Sequence, residues 1–242
     1  MRIKLFCIGL VILVDNFSVF SQPVEENAFP ESAIRFARQL YTDLFIQQMQ
    51  LYNGVKYNEV LRNPETDRGH PFFIAEKLTK GTIVYSDIEY TNIPLQYDVL
   101  TDQIITVLPN TNYKISLIKD HVQCFTLLDH HFVNLTNGGI APGFYELLLN
   151  DTMKVVARRT KKSVESSYNN NIIVRRSYVP KSEFYVFNND QYFLIGNKKS
   201  LILVFRNQKE IVNSYMRQMK TSFRKDKEKY IVELVTYCNN FN

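Results

Sequence analysis

The sequence has little glycine, proline and cysteine: 242 residues include eight glycines, eight prolines and three cysteines. So few glycines and prolines exclude a collagen-like repeat, and so few cysteines exclude a disulfide-dense miniprotein. Hydrophobic residues make up 45% of the chain, which excludes intrinsic disorder. The formal net charge of +5 is too small to require a nucleic-acid partner, and we expect none. The composition is that of a globular chain long enough to bury a sizeable core.

Motifs of common active sites are also missing. The chain has no HExxH, CxxC or EF-hand pattern, no GxSxG nucleophile motif and no glycine-rich phosphate-binding loop. Adjacent His130 and His131 lie in a strand-like stretch, so they should point to opposite faces of a sheet rather than share a metal. Asp98 and Asp102 offer paired carboxylates for acid–base chemistry, but their spacing is also typical of turn residues. We expect no metal and no cofactor.

The catalytic candidate that remains is His70. It ends a polar segment, residues 58–70, that also holds Asp67 and Arg68, so one loop combines a base with a cation. This combination leaves it uncertain whether the chain is an enzyme, and the lack of any fuller catalytic pattern favours a non-enzyme.

The N-terminus has the pattern of a secretory signal peptide. Arg2 and Lys4 precede an apolar run over residues 5–14, and small residues lead to Ser21. Ten apolar residues cross only about half of a hydrocarbon core of roughly 30 Å, which argues against a membrane anchor. We therefore expect residues 1–21 to be cleaved near Ser21. The mature chain is then periplasmic or extracellular, and peripheral to a membrane at most.

Two cysteines, Cys124 and Cys238, lie outside this segment. An exported protein meets conditions in which they can form a disulfide, whereas their apolar neighbours favour buried free thiols. The sequence leaves both states open.

Positive charge is concentrated in the second half of the chain. Residues 22–153 carry a net charge of −7, and residues 154–242 carry +11. Polar and basic residues fill positions 160–180, which predicts a mobile basic loop, either a solvated hairpin extension or a binding surface. The candidate binding residues in it are Lys161, Lys162, Arg175 and Arg176. An envelope protein or an anionic surface would suit them as a partner.

The hydrophobic period changes twice along the chain. Apolar residues recur every three or four positions within residues 22–54, which predicts an N-terminal helix with one buried face. Apolar and polar residues alternate over residues 55–197, which predicts strands. No helical pattern intervenes that could form the crossovers of a parallel sheet. Hairpin turns are expected at Asn150–Asp151 and at residues 188–190. The helical period returns over residues 198–242, with Asp226 as a helix N-cap.

These patterns predict an α+β fold. It has a large curved antiparallel β-sheet of meander type, an N-terminal helix and two or three C-terminal helices. No linker composition divides residues 22–242, so we expect a single domain.

Aromatic residues are frequent in the predicted sheet, where they could enclose an apolar cavity in a half-barrel or fill an ordinary core. They are Tyr85, Tyr90, Tyr97, Phe125, Phe132, Phe144, Tyr145, Tyr185 and Tyr192.

Several segments together resemble an uncharacterised family of exported Bacteroidota proteins. The resemblance covers most of the mature chain and implies a location in the cell envelope, but it carries no assigned activity and no site residues. The segments are residues 81–85, 90–98, 143–146, 197–205, 209–211 and 223–226, together with Asp102.

The function predicted from these observations is that of an exported, non-catalytic binding or interaction protein of the bacterial cell envelope. The alternative is a carrier of an apolar ligand, such as a lipid or a lipoprotein acyl chain, in a half-barrel cavity. A hydrolase ranks third. The oligomeric state stays open.

Overall fold

The structure, a computed structural model, describes residues 31–59, 63, 65–168 and 173–240. The predicted signal peptide lies outside these residues. Contacts divide the chain into two compact units, Met1–Asp43 and Leu44–Asn242, and all strands and the C-terminal helices belong to the second unit. The single domain expected over residues 22–242 stays a prediction.

The predicted N-terminal helix is present as α1 (Glu31–Leu51). Its predicted buried face is not found over residues 31–40, which are all exposed, including Ala33, Ala37 and Leu40. Leu51, at the end of the helix, is buried in the core. The expectation was wrong for these residues because helical periodicity reports an apolar stripe and not the presence of something that covers it.

The predicted antiparallel sheet is present, and in the described residues it has eleven strands and does not close. Its strands are β1 (Val55–Lys56), β2 (Thr79–Tyr85), β3 (Ile88–Asp98), β4 (Gln103–Val107), β5 (Lys114–Ser116), β6 (Val122–Leu127), β7 (His130–Leu135), β8 (Gly143–Leu149), β9 (Lys154–Tyr168), β10 (Ile173–Asn188) and β11 (Gln191–Leu194). In space they follow the order β1-β5-β4-β3-β2-β6-β7-β8-β9-β10-β11. The meander is therefore interrupted twice: β1 pairs with β5 rather than with β2, and β6 pairs with β2 rather than with β5. The edge strands β1 and β11 are short, which limits pairing with other sheets.

Two or three C-terminal helices were predicted, and the described residues form three: α2 (Lys198–Val204), α3 (Lys209–Gln218) and α4 (Lys227–Asn239). A capping box opens α2, in which Asn197 and Ser200 bond to each other's backbone N–H groups. The Asp226 carboxylate accepts from Lys229 N–H at the start of α4, as predicted. No helix among the described residues is both long and apolar enough to cross a membrane.

One face of the sheet carries both large hydrophobic cores. The cross-strand pairs Ile83–Phe125, Phe125–Phe132, Phe132–Glu146 and Glu146–Ala157 run from β2 to β9, and paired residues share a face. The first core contains Phe125 and Phe132. The second contains Ala157 and joins β9, β10 and the three C-terminal helices. Glu146, a buried carboxylate, lies between the two cores along this row of pairs.

Candidate functional site

The aromatic face that was expected either to enclose a cavity or to fill a core is filled. Phe125 and Phe132 stack with ring centroids 4.7 Å apart. Tyr97 packs edge-on against both, at 5.3 Å and 5.2 Å, and Phe144 lies 5.3 Å from Phe125. Phe73, from the segment before β2, covers Phe132 at 5.0 Å. Ring contacts at these distances are those of a packed interior, so this cluster leaves no room for an apolar ligand among its rings.

Tyr85 and Tyr90 belong to this same core, whereas Tyr145, Tyr185 and Tyr192 lie on the opposite face. Tyr145 packs edge-on against Tyr185 at 5.7 Å, and Tyr192 contacts Phe187 at 4.8 Å. The nine aromatic residues therefore do not form one concave wall, because strand alternation divides them between the two faces.

Asp98 is engaged in holding a turn. Its buried carboxylate accepts hydrogen bonds from Leu100 N–H (2.8 Å) and from the Thr101 hydroxyl (2.7 Å). It also accepts from the Tyr57 hydroxyl at 2.9 Å. Burial, and then the charge of Asp98, raise the pKa of Tyr57 far above its ordinary value. These contacts are those of a turn residue rather than of a catalytic acid or base.

Asp102 belongs to a different cluster of charges. Its Oδ1 accepts from the Tyr97 hydroxyl at 2.7 Å, and its Oδ2 lies 2.5 Å from Lys119 Nζ and 3.7 Å from Arg158 Nη2. Burial, reinforced by the negative charge of Asp102, holds the pKa of Tyr97 well above its usual value. The cluster fastens the β3–β4 turn to β9, so the carboxylate pair that the spacing suggested is divided between two structural roles.

His70 also has a structural contact. Its Nδ1 accepts a hydrogen bond from Phe72 N–H at 3.2 Å, and the carbonyls of both residues accept from Lys161 Nζ at 2.9 Å and 2.6 Å. Asp67 Oδ1 accepts from Arg176 N–H at 3.2 Å. The loop that combined a base with a cation thus lies against the β9–β10 hairpin, and the recorded Nδ1 contact fixes the loop.

Of the two alternatives predicted for residues 160–180, the structure has the hairpin extension, built of regular strands rather than of a loop. These residues continue β9 and β10, which pair from Lys154–Phe187 to Tyr168–Ile173, while residues 169–172 lie outside the described residues. The polar composition did not reveal these strands because residues 67–72 pack against the hairpin. Arg68 pairs through its backbone with the edge of β10 at Ser177, and Lys161 Nζ on the inner face donates to the carbonyls of His70 and Phe72.

Strand alternation divides the four candidate binding residues into two pairs. Lys161 and Arg176 share the inner face, where Lys161 holds the carbonyls described above and Arg176 donates to Glu165 Oε1 at 3.0 Å. Burial lowers the pKa of Lys161. Lys162 and Arg175 share the outer face, and both are exposed. Within the described ranges neither makes an ion pair.

The outer face has a regular composition. Across the two strands the pairs are Thr160–Lys181, Lys162–Val179, Val164–Ser177 and Ser166–Arg175, and this set is named the outer hairpin face. It holds three cations, two exposed valines and no carboxylate. Lys181 is paired, since its Nζ donates to Glu183 Oε1 at 2.6 Å. Lys162 and Arg175 are therefore the cations of this face with no partner in the described part of the chain.

The sequence patterns did not predict a buried ion network between the two cores. The carboxylate of Glu146, whose side chain is 5% exposed, contacts His130 Nδ1 and accepts from Arg159 Nε at 2.5 Å. Arg159 also donates to Glu228 Oε2 on α4 at 2.7 Å and to Ser182 Oγ at 2.9 Å. Although burial lowers the pKa of Arg159, these acidic partners raise it overall. The network connects β7, β8 and β9 to α4. Its one signal in the sequence is a single charged residue, Glu146, within an apolar strand.

The remaining candidates are separated in space. His130 faces Glu146, while His131 lies on the other face with Nδ1 3.1 Å from Thr126 Oγ1, as the alternation predicted. Cys124 and Cys238 are free thiols, and burial raises the pKa of Cys238 to about 11. In the described part of the chain, no three His, Cys, Asp or Glu residues gather closely enough to hold a metal ion.

Comparison with known proteins adds no family to these observations. The resemblance to exported Bacteroidota proteins therefore stays a prediction. Neither protein-family models, nor curated proteins, nor solved structures gave a match to this chain.

Proposed function

We propose that the protein is a non-catalytic interaction protein of the bacterial cell envelope that binds an acidic partner protein through its outer hairpin face. One observation carries the proposal: Lys162 and Arg175 are exposed on one face of a regular hairpin and have no partner in the described residues. A cation pair with exposed valines between them offers both charge complementarity and apolar area to a partner.

The other candidate residues support a binding function rather than catalysis. Asp98, Asp102 and His70 all hold turns or loops through the contacts described above. The carrier alternative lacks a cavity where it was expected, because the aromatic core is filled by stacked and edge-on rings. The proposed location, periplasmic or extracellular, depends on the signal-peptide pattern of residues 1–21.

The size of the outer hairpin face limits what it can do alone. Seven residues at about 3.3 Å each, across two strands about 4.8 Å apart, give a footprint of roughly 200 Å². A stable complex buries about 800 Å² on each partner. The face is therefore the charged centre of a larger contact or the whole of a weak one. In both cases binding should weaken as salt increases.

The test combines site-specific cross-linking with charge reversal. A photo-cross-linking amino acid at Val164 should capture one reproducible acidic protein from envelope fractions. The double variant K162E/R175E should reduce the captured amount at least tenfold. The matched control R224E/K225E changes the net charge equally at two exposed cations between α3 and α4, and should leave capture unchanged.

Two results would contradict the proposal. One is equal capture by wild type, K162E/R175E and R224E/K225E, which would show that the outer hairpin face is not the contact. The other is flotation of the wild type, but not of K162E/R175E, with vesicles containing phosphatidylglycerol and without any protein partner. That result would assign the face to an anionic membrane instead.

A further inference from the structure

A groove runs along the edge strand β11, which pairs with the side of β10 that faces away from β9. It is bounded by β11, by the β8–β9 and β10–β11 turns, and by α2 with the residues that follow it. Its volume of about 850 Å³ is that of a small-molecule site. Its base is fixed by Asn188, whose Nδ2 donates to the Val204 carbonyl at the end of α2 at 3.2 Å.

The polar lining of the groove consists of neutral hydrogen-bonding groups and one cation. Thr152, Asn189, Gln191 and Arg206 line it. In the part of the chain that the structure describes, the side chains of these four residues make no hydrogen bond or ion pair with another residue. No carboxylate is among the described lining residues. The groove thus presents unused amide and hydroxyl groups, each of which can both donate and accept.

Apolar side chains lie beside these polar groups. Phe193 and Leu194 on β11 and Leu203 on α2 all line the groove and are exposed, Leu203 to 59%. Large apolar residues exposed together at a concave site usually serve to bind a ligand. The Phe193 ring offers a flat apolar surface in the same groove as the amides of Asn189 and Gln191.

We propose that this groove binds a carbohydrate. Each sugar hydroxyl both donates and accepts a hydrogen bond, which matches the primary amides of Asn189 and Gln191 and the Thr152 hydroxyl. The C–H faces of a sugar ring are apolar and suit packing on Phe193. Arg206 adds a guanidinium, which forms bidentate hydrogen bonds to a carboxylate, so the groove also suits a uronic acid. This inference does not depend on the partner contact of the outer hairpin face.

Two other ligand classes fit the groove less well. An acyl chain would bury the amides of Asn189 and Gln191 without hydrogen bonds, which is costly. A peptide strand would need an open edge on β11, but this strand has only four residues and its Tyr192 N–H already donates to the Gly138 carbonyl at 3.1 Å.

Calorimetric titration of the whole folded protein with cellohexaose, N-acetylchitohexaose and hexagalacturonate tests the proposal. We expect saturable binding of at least one of the three. F193A and Q191A should each weaken it about three- to tenfold, the loss of one ring contact or one hydrogen bond. R206Q should weaken hexagalacturonate and leave the neutral sugars unchanged, which distinguishes a uronate site from a neutral one. K162A, on the outer hairpin face, is the control and should bind as wild type does.

The proposal is overturned if none of the three probes binds at millimolar concentration, or if F193A and Q191A bind as the wild type does. It is also overturned if decanoate binds while the sugars do not. All substituted side chains are exposed, so near-ultraviolet circular dichroism should show unchanged packing in every variant.

Discussion

Replacing Arg159 by methionine removes the cation that faces Glu146 inside the sheet. Methionine keeps an unbranched apolar stem beside Phe184, whose ring lies 5.7 Å from the guanidinium carbon. It removes the donors that lie 2.5 Å from Glu146 and 2.7 Å from Glu228. Glu228 is partly exposed and can turn to water, whereas the Glu146 side chain is 5% exposed and keeps only its contact with His130 in the described network.

The expected loss of stability follows from this difference in exposure between Glu146 and Glu228. Removing one partner of a buried ion pair costs about 3–5 kcal/mol of unfolding free energy, because a buried carboxylate is left without its cation. Natural domains are stable by only about 5–15 kcal/mol, so R159M should lose a large part of the total. The double variant E146M/R159M removes both charges and should be at least about 2 kcal/mol more stable than R159M.

Urea unfolding measures these differences, followed by far-ultraviolet circular dichroism and by tyrosine fluorescence, since the chain has no tryptophan. R217M is the control. Arg217 is exposed on α3, and within the described residues its side chain donates to the Asn213 carbonyl of its own helix alone. This variant should therefore stay within about 0.5 kcal/mol of wild type. The reasoning is refuted if R159M costs less than about 1 kcal/mol, or if E146M/R159M is no more stable than R159M.

Three further predictions concern steric fit, thiols and alkaline pH. A Cβ at Gly81 would lie 2.5 Å from a backbone oxygen of β6, whereas a Cβ at Gly196 would meet nothing within 4 Å. Thermal unfolding should therefore show G81A less stable than wild type by about 1–3 kcal/mol and G196A unchanged. Equal stability of the two variants would contradict the close pairing of β2 with β6. In the native protein a thiol reagent should label the partly exposed Cys124 at least tenfold faster than Cys238. Cys238 is buried, and burial raises the pKa of its thiol to about 11. Labelling of both thiols at the same rate would show that α4 opens readily. Burial raises the pKa of Tyr185 from 10.0 to about 12, so between these pH values the folded state retains a proton that the unfolded state releases. The free energy of unfolding measured in urea should therefore fall as the pH rises from 10 to 12. An equally large decline in Y185F would mean that other groups cause it.

The order of helix, sheet and helices was predictable because it depends on local periodicity. The turn at Asn189–Asp190 and the cap at Asp226 were found for the same reason, since both depend on residue types with strong backbone preferences. The turn at Ser86–Asp87 was not predicted within the segment 55–197, for which strands were expected. Both residues have positive φ, which serine seldom adopts, so the sequence carried little signal for it.

The candidate site was harder to predict because it depends on the register in which neighbouring strands pair. Lys161 and Lys162 are neighbours in sequence, yet only the pairing of β9 with β10 decides which of them faces inward. The contact between Glu146 and Arg159 similarly depends on how β8 pairs with β9, and the contact of Arg159 with Glu228 depends on where α4 packs. Composition correctly marked a basic segment and could not report that residues 67–72 cover one of its faces.

The division of the hairpin into two faces separates what holds the protein together from what it displays. Lys161 and Arg176 are tied into the fold, so changes there should be selected against as folding defects. The side chains of Lys162 and Arg175 make no ion pair or hydrogen bond in the described chain, so a change at either alters the displayed surface at almost no cost in stability. A hairpin of this kind can acquire new partners by surface substitution alone while its scaffold stays the same.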